Sequence, residues 1–206
     1  MKQILKESYD RQAQLRDQNE VQLWKVNEMD FVVNKLLQAG ESGKKVLDLG
    51  SGPGHQAAYL QKHGCEVSCV DLSDEMVRIC REKGLDAHTM DFYSLDIEPE
   101  SFDAVWTMNA LLHVPKHSLK QVLVQIERVL KPSGFLYLGM YGGYESEGIW
   151  DEDSYRPQRF FAFYEDEHIQ RKVSEVFEIE QYRVLPMEGM SVHYQSIIAR
   201  KKQLNP

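Results

Sequence analysis

Residues 46–54 read Val-Leu-Asp-Leu-Gly-Ser-Gly-Pro-Gly, an apolar run that ends in glycines at 50, 52 and 54. Lys45 to Gly50 has the continuous apolar character of a short strand buried on both faces. The glycines mark a turn where the backbone can approach a ligand closely. The helix expected next turns its unpaired N–H groups toward the same place.

The flanking residues repeat the strand–helix alternation. Gln56 to about Lys62 reads as a helix stopped by Gly64, then Glu66 to Asp71 as a second strand. Ser73 and Asp74 cap a helix running to Gly84. A weak strand near Ala87 to Met90, a loop with Pro99, and a buried strand from Phe102 to Thr107 follow. His117 to Lys131 is the clearest helix, with Leu119, Val122, Leu123, Ile126, Val129 and Leu130 as its core stripe. Pro132 and Gly134 end it before a strand at Phe135 to Tyr141. This order predicts a parallel sheet with helices on both faces. Ile169, Val173 and Val176 mark a last helix. Phe177 to Leu185 and Val192 to Arg200 are then joined by Pro186 to Ser191 alone, a connection that fits only an antiparallel pair. The expected fold is α/β, in three layers (α/β/α), with a mostly parallel seven-stranded sheet and a C-terminal antiparallel hairpin.

Upstream, Leu5, Tyr9 and Ala13 form only a thin stripe, a helix that must dock on something to persist. Val26, Met29, Val33, Leu36 and Leu37 share a face of a firmer helix ending near Gly40, and Gly43 leads into the first strand.

Composition narrows the function classes. In 206 residues, 24 Lys and Arg stand against 32 Asp and Glu, a formal net charge of −8 that repels nucleic acid and anionic lipid over most of the surface. No apolar run approaches the roughly 20 residues that span a bilayer, and the first twenty residues are too polar for a signal peptide. Cys65, Cys69 and Cys80 are odd in number and contain no CxxC, which argues against a disulfide framework. A soluble, cytoplasmic protein is expected, with no nucleic-acid or membrane partner.

The spacing of the turn narrows its ligand. A dinucleotide fingerprint counted from Gly50 and Gly52 needs a third glycine at 55, where His55 stands, and the Gly-Lys-Ser/Thr of a phosphate loop is absent. Asp48 opposes a pyrophosphate but suits a ligand bearing an ammonium. Asp71 closes the second strand about 20 residues on, where a carboxylate can accept both hydroxyls of a ribose.

VLDLGSGPG resembles the first motif of the class I S-adenosylmethionine-dependent methyltransferases. VSCVDLSDEMV (67–77), MDFYSLDIEPESFDAVWTMNALLHV (90–114) and RVLKPSGFLYLGMY (128–141) resemble later family segments in the same order. The likeness extends over roughly residues 40–200 and implies a Rossmann-like fold with S-adenosylmethionine as cofactor. It implies that Asp48 and the backbone at Gly50, Ser51 and Gly52 hold the methionine part, and that Asp71 binds the ribose. Leu72 and Met76 then lie against the adenine, Asp91 and the backbone of Phe92 read its edge, and Met108 and Asn109 line the approach to the methionine amine. Met76 as plain core and Asp91 as a turn former remain the alternatives.

Residues 1–40 are expected to be helices forming a cap or lid over the methyltransferase domain at 41–206, with a substrate-side insertion at about 142–164. The expected function is in-line methyl transfer to a small-molecule acceptor, releasing S-adenosylhomocysteine. A non-catalytic binding module or an aminopropyl-transfer relative is the alternative. His113 is the candidate base if the acceptor carries a proton, its ordinary pKa near 6.5 suiting that task; the other reading makes it part of a packing segment. Tyr9 as part of the lid, His113, Tyr141 and Arg159 are the candidate acceptor-binding residues. Aromatics beside arginines in the insertion suit a small, partly apolar anion. Alternatively Phe160, Phe161 and Phe163 cover the sheet edge while the arginines answer the acids at 145, 147 and 151–153. His168 and His193 read as surface or structural residues. Asn109-Ala-Leu-Leu112 stands where the DNA-methylating branch carries a proline-aromatic tetrad, which argues against a flipped base. No cluster has metal-ligand spacing.

Overall fold

The computed structural model describes residues 1–37, 43–189 and 191–202, with Gly40 outside the described residues. Its centre is a seven-stranded sheet in the order β3-β2-β1-β4-β5-β9-β8, built from β1 (Lys45–Leu49), β2 (Glu66–Asp71), β3 (Asp86–Thr89), β4 (Phe102–Met108), β5 (Leu130–Gly142), β8 (Phe177–Pro186) and β9 (His193–Lys201). The first five strands are parallel, and β9 runs antiparallel to both β5 and β8. This is the expected three-layer, Rossmann-like arrangement. Alternation along the strands divides the core in two, as the two-residue period of a pleated strand requires. Val46, Cys69, Trp106 and Tyr137 face the helices α2 (Leu23–Leu37), α3 (His55–Lys62) and α4 (Asp74–Glu82). Leu47, Val105, Leu136 and Ile197 face α5 (Leu119–Val129) and α6 (Asp166–Ser174).

Strand order reverses between β1 and β4, so the loops that follow these two strands diverge and leave a crevice at their carboxyl ends. α1 (Lys2–Asp17) lies over that region and packs on α4 through Ala13, Met76 and Ile79. Three polar ties fix it there. Lys2 pairs with Asp91 at 2.5 Å, Lys6 with Asp74 at 2.5 Å, and the Ser73 hydroxyl donates to Asp10 at 2.5 Å.

Two features of the chain differ from the sequence reading. Val176 falls just beyond α6, and Leu130 and Lys131 open β5 rather than closing α5. The insertion also folds as a second antiparallel sheet of β6 (Ser146–Ile149) and β7 (Phe160–Phe163). The ten residues joining them, 150–159, carry no tight-turn signal, so nothing in the spacing announced a hairpin.

α2 is tied to the far edge of the sheet by a buried polar cluster. The Glu28 carboxylate accepts from Arg183 at 2.9 and 2.8 Å, from Tyr137 at 2.9 Å and from Ser196 at 2.6 Å. Its single-face pattern as a helix leaves no hint of this, because the partners come from three distant strands.

Candidate active site

The loop after β1 is shaped by its glycines. Gly50 has φ +80°, and a Cβ there would stand 2.3 Å from that of Ala110, so the turn packs against the segment after β4 with no room for a side chain. Gly52 has φ +53° and open space beside it, with the Arg16 guanidinium 4.0 Å from the position of a Cβ. Asp71 holds this turn in place. Its carboxylate accepts from the backbone N–H of Gly52 at 2.8 Å and of Ser73 at 2.9 Å. Burial pushes the Asp71 carboxyl above the ordinary range, against those two hydrogen bonds and the charge of Arg16.

A cavity of about 330 Å³ opens between this turn and α1. Gly50, Gly52, Asp71, Leu72, Asp91, Phe92, Met108 and Asn109 line it, joined from above by Leu5, Tyr9 and Arg16. Eight residues named in advance, taken from the ends of β1, β2, β3 and β4, thus face one space. Asn109 is held at φ +54°, a left-handed conformation that asparagine tolerates better than most residues, and its Oδ1 is buried with no partner. Ser51 lines a smaller adjoining space of about 130 Å³ beside the turn, together with Arg16 and Lys25.

Asp48 and Met76 do not line the large cavity. Met76 is fully buried between α1 and α4, held there by its place on the apolar face of α4. Asp48 is buried behind the turn. Its Oδ2 has no partner, and burial followed by the nearby Cys80 and Asp71 drives its carboxyl well above the ordinary range.

A second cavity of about 460 Å³ adjoins the first, and Tyr9, Arg16, Asn109 and His113 line both. Its other walls include Tyr141 from β5 and Trp150, Arg159, Phe161 and Phe163 from the insertion. Phe161 and Phe163 stack with centroids 5.6 Å apart and their planes at 8°, with Trp150 edge-on to both. They are core and cavity wall at once.

A hydrogen-bonded chain runs between the cavities. The Nδ1 of His113 lies 2.7 Å from the Phe160 carbonyl, which can only accept, so Nδ1 carries the proton and Nε2 is left as an acceptor. Tyr9 Oη lies 2.6 Å from that Nε2 and donates to it. Arg159 donates to Tyr9 Oη at 3.0 Å, while its remaining nitrogens grip the buried Asp153 at 2.6 and 3.0 Å. Burial, with the charges of Arg159 and Arg16, holds the His113 imidazole down at about 3. It is neutral in this arrangement. Arg156 turns away to the carbonyls of Asp153 and Tyr155, while His168 and His193 pair with Glu145 and Asp166.

Arg16 and Lys25 escaped the sequence reading. Arg16 donates to the Tyr155 hydroxyl at 3.0 Å, and its Nε is buried without a partner. Both cations sit on helices far upstream of the glycine turn, where they look like ordinary solvated surface. The crossing of α1 over the strand ends brings Arg16 inward, and the first turn of α2 places Lys25 beside the same spaces. Among the described residues, no group of His, Cys, Asp and Glu is placed to hold a metal ion, and no helix is long and apolar enough to cross a membrane.

Comparison with known proteins bears on this site directly. Residues 47–138 match the family described as a methyltransferase domain. Trans-aconitate 2-methyltransferase of Mycobacterium tuberculosis is 37% identical over 109 residues, which cover 52% of this chain and 40% of that protein. A ubiquinone biosynthesis O-methyltransferase of Xanthomonas oryzae pv. oryzae is 34% identical over 117 residues, 53% of this chain and 47% of that one. In both cases the chain covers less than half of the relative's length. The fold extends further than the sequence likeness. A 1,6-didemethyltoxoflavin-N1-methyltransferase of Burkholderia thailandensis, solved with 1,6-didemethyltoxoflavin and S-adenosylhomocysteine, aligns with a TM-score of 0.73 at 19% identity over 98% of this chain and 88% of that one. The match to the methyltransferase domain thus lies within residues 47–138, a little under half of the chain, and the likeness in fold extends beyond it.

Proposed function

We propose that the protein transfers a methyl group from S-adenosylmethionine to a small-molecule acceptor and releases S-adenosylhomocysteine. The observation that carries this is the pair of adjoining cavities with a shared wall at Tyr9, Asn109 and His113. The relatives are named for small-molecule methylation. We place its work in the cytoplasm, in keeping with three cysteines that are all unpaired.

The residues of the first cavity fit the donor. Asp71 offers a carboxylate with free lone pairs to the ribose hydroxyls, Leu72 and Phe92 offer apolar surface to the adenine, and Asp91 offers an acceptor at its edge. The unpartnered Asn109 Oδ1 and the turn at Gly50, Ser51 and Gly52 face the amino-acid end. Asp48, behind the turn, acts on that end only through its field, and Met76 supports the floor beneath α1. When bound, the donor supplies a methyl group already activated by a sulfonium. The protein's own work is then to align the acceptor and exclude water. α1 and the insertion roof the site as a lid, closed by the contacts of Tyr9 and Arg16 with Arg159 and Tyr155.

The geometry favours His113 as a positioning residue over a base. Its Nε2 already accepts from Tyr9, and an imidazole held near 3 takes up a proton poorly at neutral pH. Tyr9 is thereby fixed at the boundary between donor and acceptor. Transfer of label from methyl-labelled donor into a small-molecule extract tests the activity, and donor binding without any labelled product overturns it. His113→Gln, which can still accept from Tyr9, should keep most of kcat, whereas His113→Ala should lose much of it. A fall of about 10²-fold in both, with loss of an acid limb in the pH profile, restores the base role.

A further inference from the structure

Cations facing the two cavities outnumber the anions that answer them. Arg159 is neutralised, because Asp153 holds it through two nitrogens at 2.6 and 3.0 Å. Arg16 has no such partner. Among the described residues it reaches the Tyr155 hydroxyl and lies over the Tyr9 ring, and its buried Nε has no hydrogen-bond partner. Lys25 has no carboxylate within ion-pair range among the described residues, and its ammonium lies 5.4 Å from the centroid of the Trp24 ring. Burial and the charge of Arg16 both hold the Lys25 pKa below its ordinary value, the mark of two cations directed at one space. No nearby carboxylate pairs with either cation among the described residues: Glu20 lines the smaller space from an exposed position with no ion pair to them. Asp71 is bound to the turn, and Glu152 lines the second cavity from an exposed position with no ion pair to either cation.

A donor with an amino-acid end brings one carboxylate, and Arg16 beside Gly52 is placed to meet it. Lys25 borders the aromatic cavity as well as the turn, so one cation remains for the acceptor. Two partly buried cations are costly to hold together unless an anion joins them. Resting on the methyl-transfer reading above, we propose that the acceptor is a small carboxylate with an aromatic or otherwise apolar body. Its charge is held by Lys25, and its body lies against Tyr141, Trp150, Phe161 and Phe163. Arg159, the cation singled out by the sequence, instead fixes Tyr9.

The test uses the full chain loaded with S-adenosylhomocysteine. Phenylacetate, 3-phenylpropanoate and trans-cinnamate are each titrated by calorimetry beside the corresponding amide. At least one acid should bind about tenfold or more tightly than its amide, as a charge-assisted contact requires, and the advantage should shrink with added salt. Lys25→Gln should abolish that advantage and leave affinity for S-adenosylhomocysteine within about twofold, while Lys25→Arg should keep most of it. The proposal is overturned if no acid outbinds its amide. It is equally overturned if Lys25→Gln weakens S-adenosylhomocysteine and spares the acids, which gives Lys25 to the donor. Failure of S-adenosylhomocysteine itself to bind removes the underlying methyl-transfer reading, a result distinct from both.

Discussion

At the scale of single residues, Asp71 connects the sheet to the site. It closes β2, accepts from the Gly52 and Ser73 N–H groups, and still borders the cavity. Asp71→Ala should weaken S-adenosylhomocysteine binding by roughly ten- to hundredfold, from lost charge-assisted bonds and a loosened turn. Unchanged affinity by calorimetry would remove Asp71 from the site. Asp71, the glycines and Asn109 could be named from the sequence because the topology fixes them: each stands at the carboxyl end of a strand beside the point where strand order reverses. Arg16 and Lys25 could not. No local pattern separates a helical cation that turns inward from one that faces water. Tyr9 was legible as part of a thin apolar stripe, but its bond to His113 spans 104 positions and belongs to the tertiary structure alone.

At the scale of elements, the helices and parallel strands of 45–142 were readable, apart from the junction of α5 and β5, because apolar periodicity and glycine stops agree with the tertiary arrangement. The insertion was not, since its hairpin is held by Phe161 stacked on Phe163 with Trp150 edge-on to both, rather than by turn chemistry. Helix α2 depends on a contact of the same non-local kind. Glu28 is 1% exposed, and among the described residues Arg183 supplies its only cation. Arg183→Met should destabilise the fold by about 3 kcal/mol, because a buried carboxylate is left without its counter-charge. The double variant with Glu28→Gln should recover part of that loss. Denaturant unfolding of the three variants measures both effects, and equal stability of Arg183→Met and the parent would show the pair to be incidental.

At the scale of the whole molecule, buried titrating groups set how stability varies with pH. His113 is held near 3 in the fold and titrates near 6.5 when unfolded, so the unfolded chain binds its proton first on acidification. Its contribution is complete above about pH 6.5 and is lost as the pH falls toward 3. Asp48 acts in the opposite sense. Its raised carboxyl favours the fold in acid and penalises it once the unfolded chain ionises, so Asp48→Asn should raise Tm at neutral pH and gain nothing in acid. Thermal melts of the His113→Gln and Asp48→Asn variants across that range separate the two contributions. A parent curve that keeps its full acid slope in His113→Gln would assign the slope to other groups.

The position of α1 also constrains the order of events in a catalytic cycle. Leu5, Tyr9 and Arg16 roof the donor space, and Tyr9 and Arg16 border the neighbouring cavity too. On the methyl-transfer reading, a donor seated beneath α1 can leave only when that helix lifts. Steady-state kinetics should therefore be sequential and ordered: the adenosyl compound enters first, and its demethylated product departs last. That product should inhibit competitively against the donor and non-competitively against the methyl acceptor.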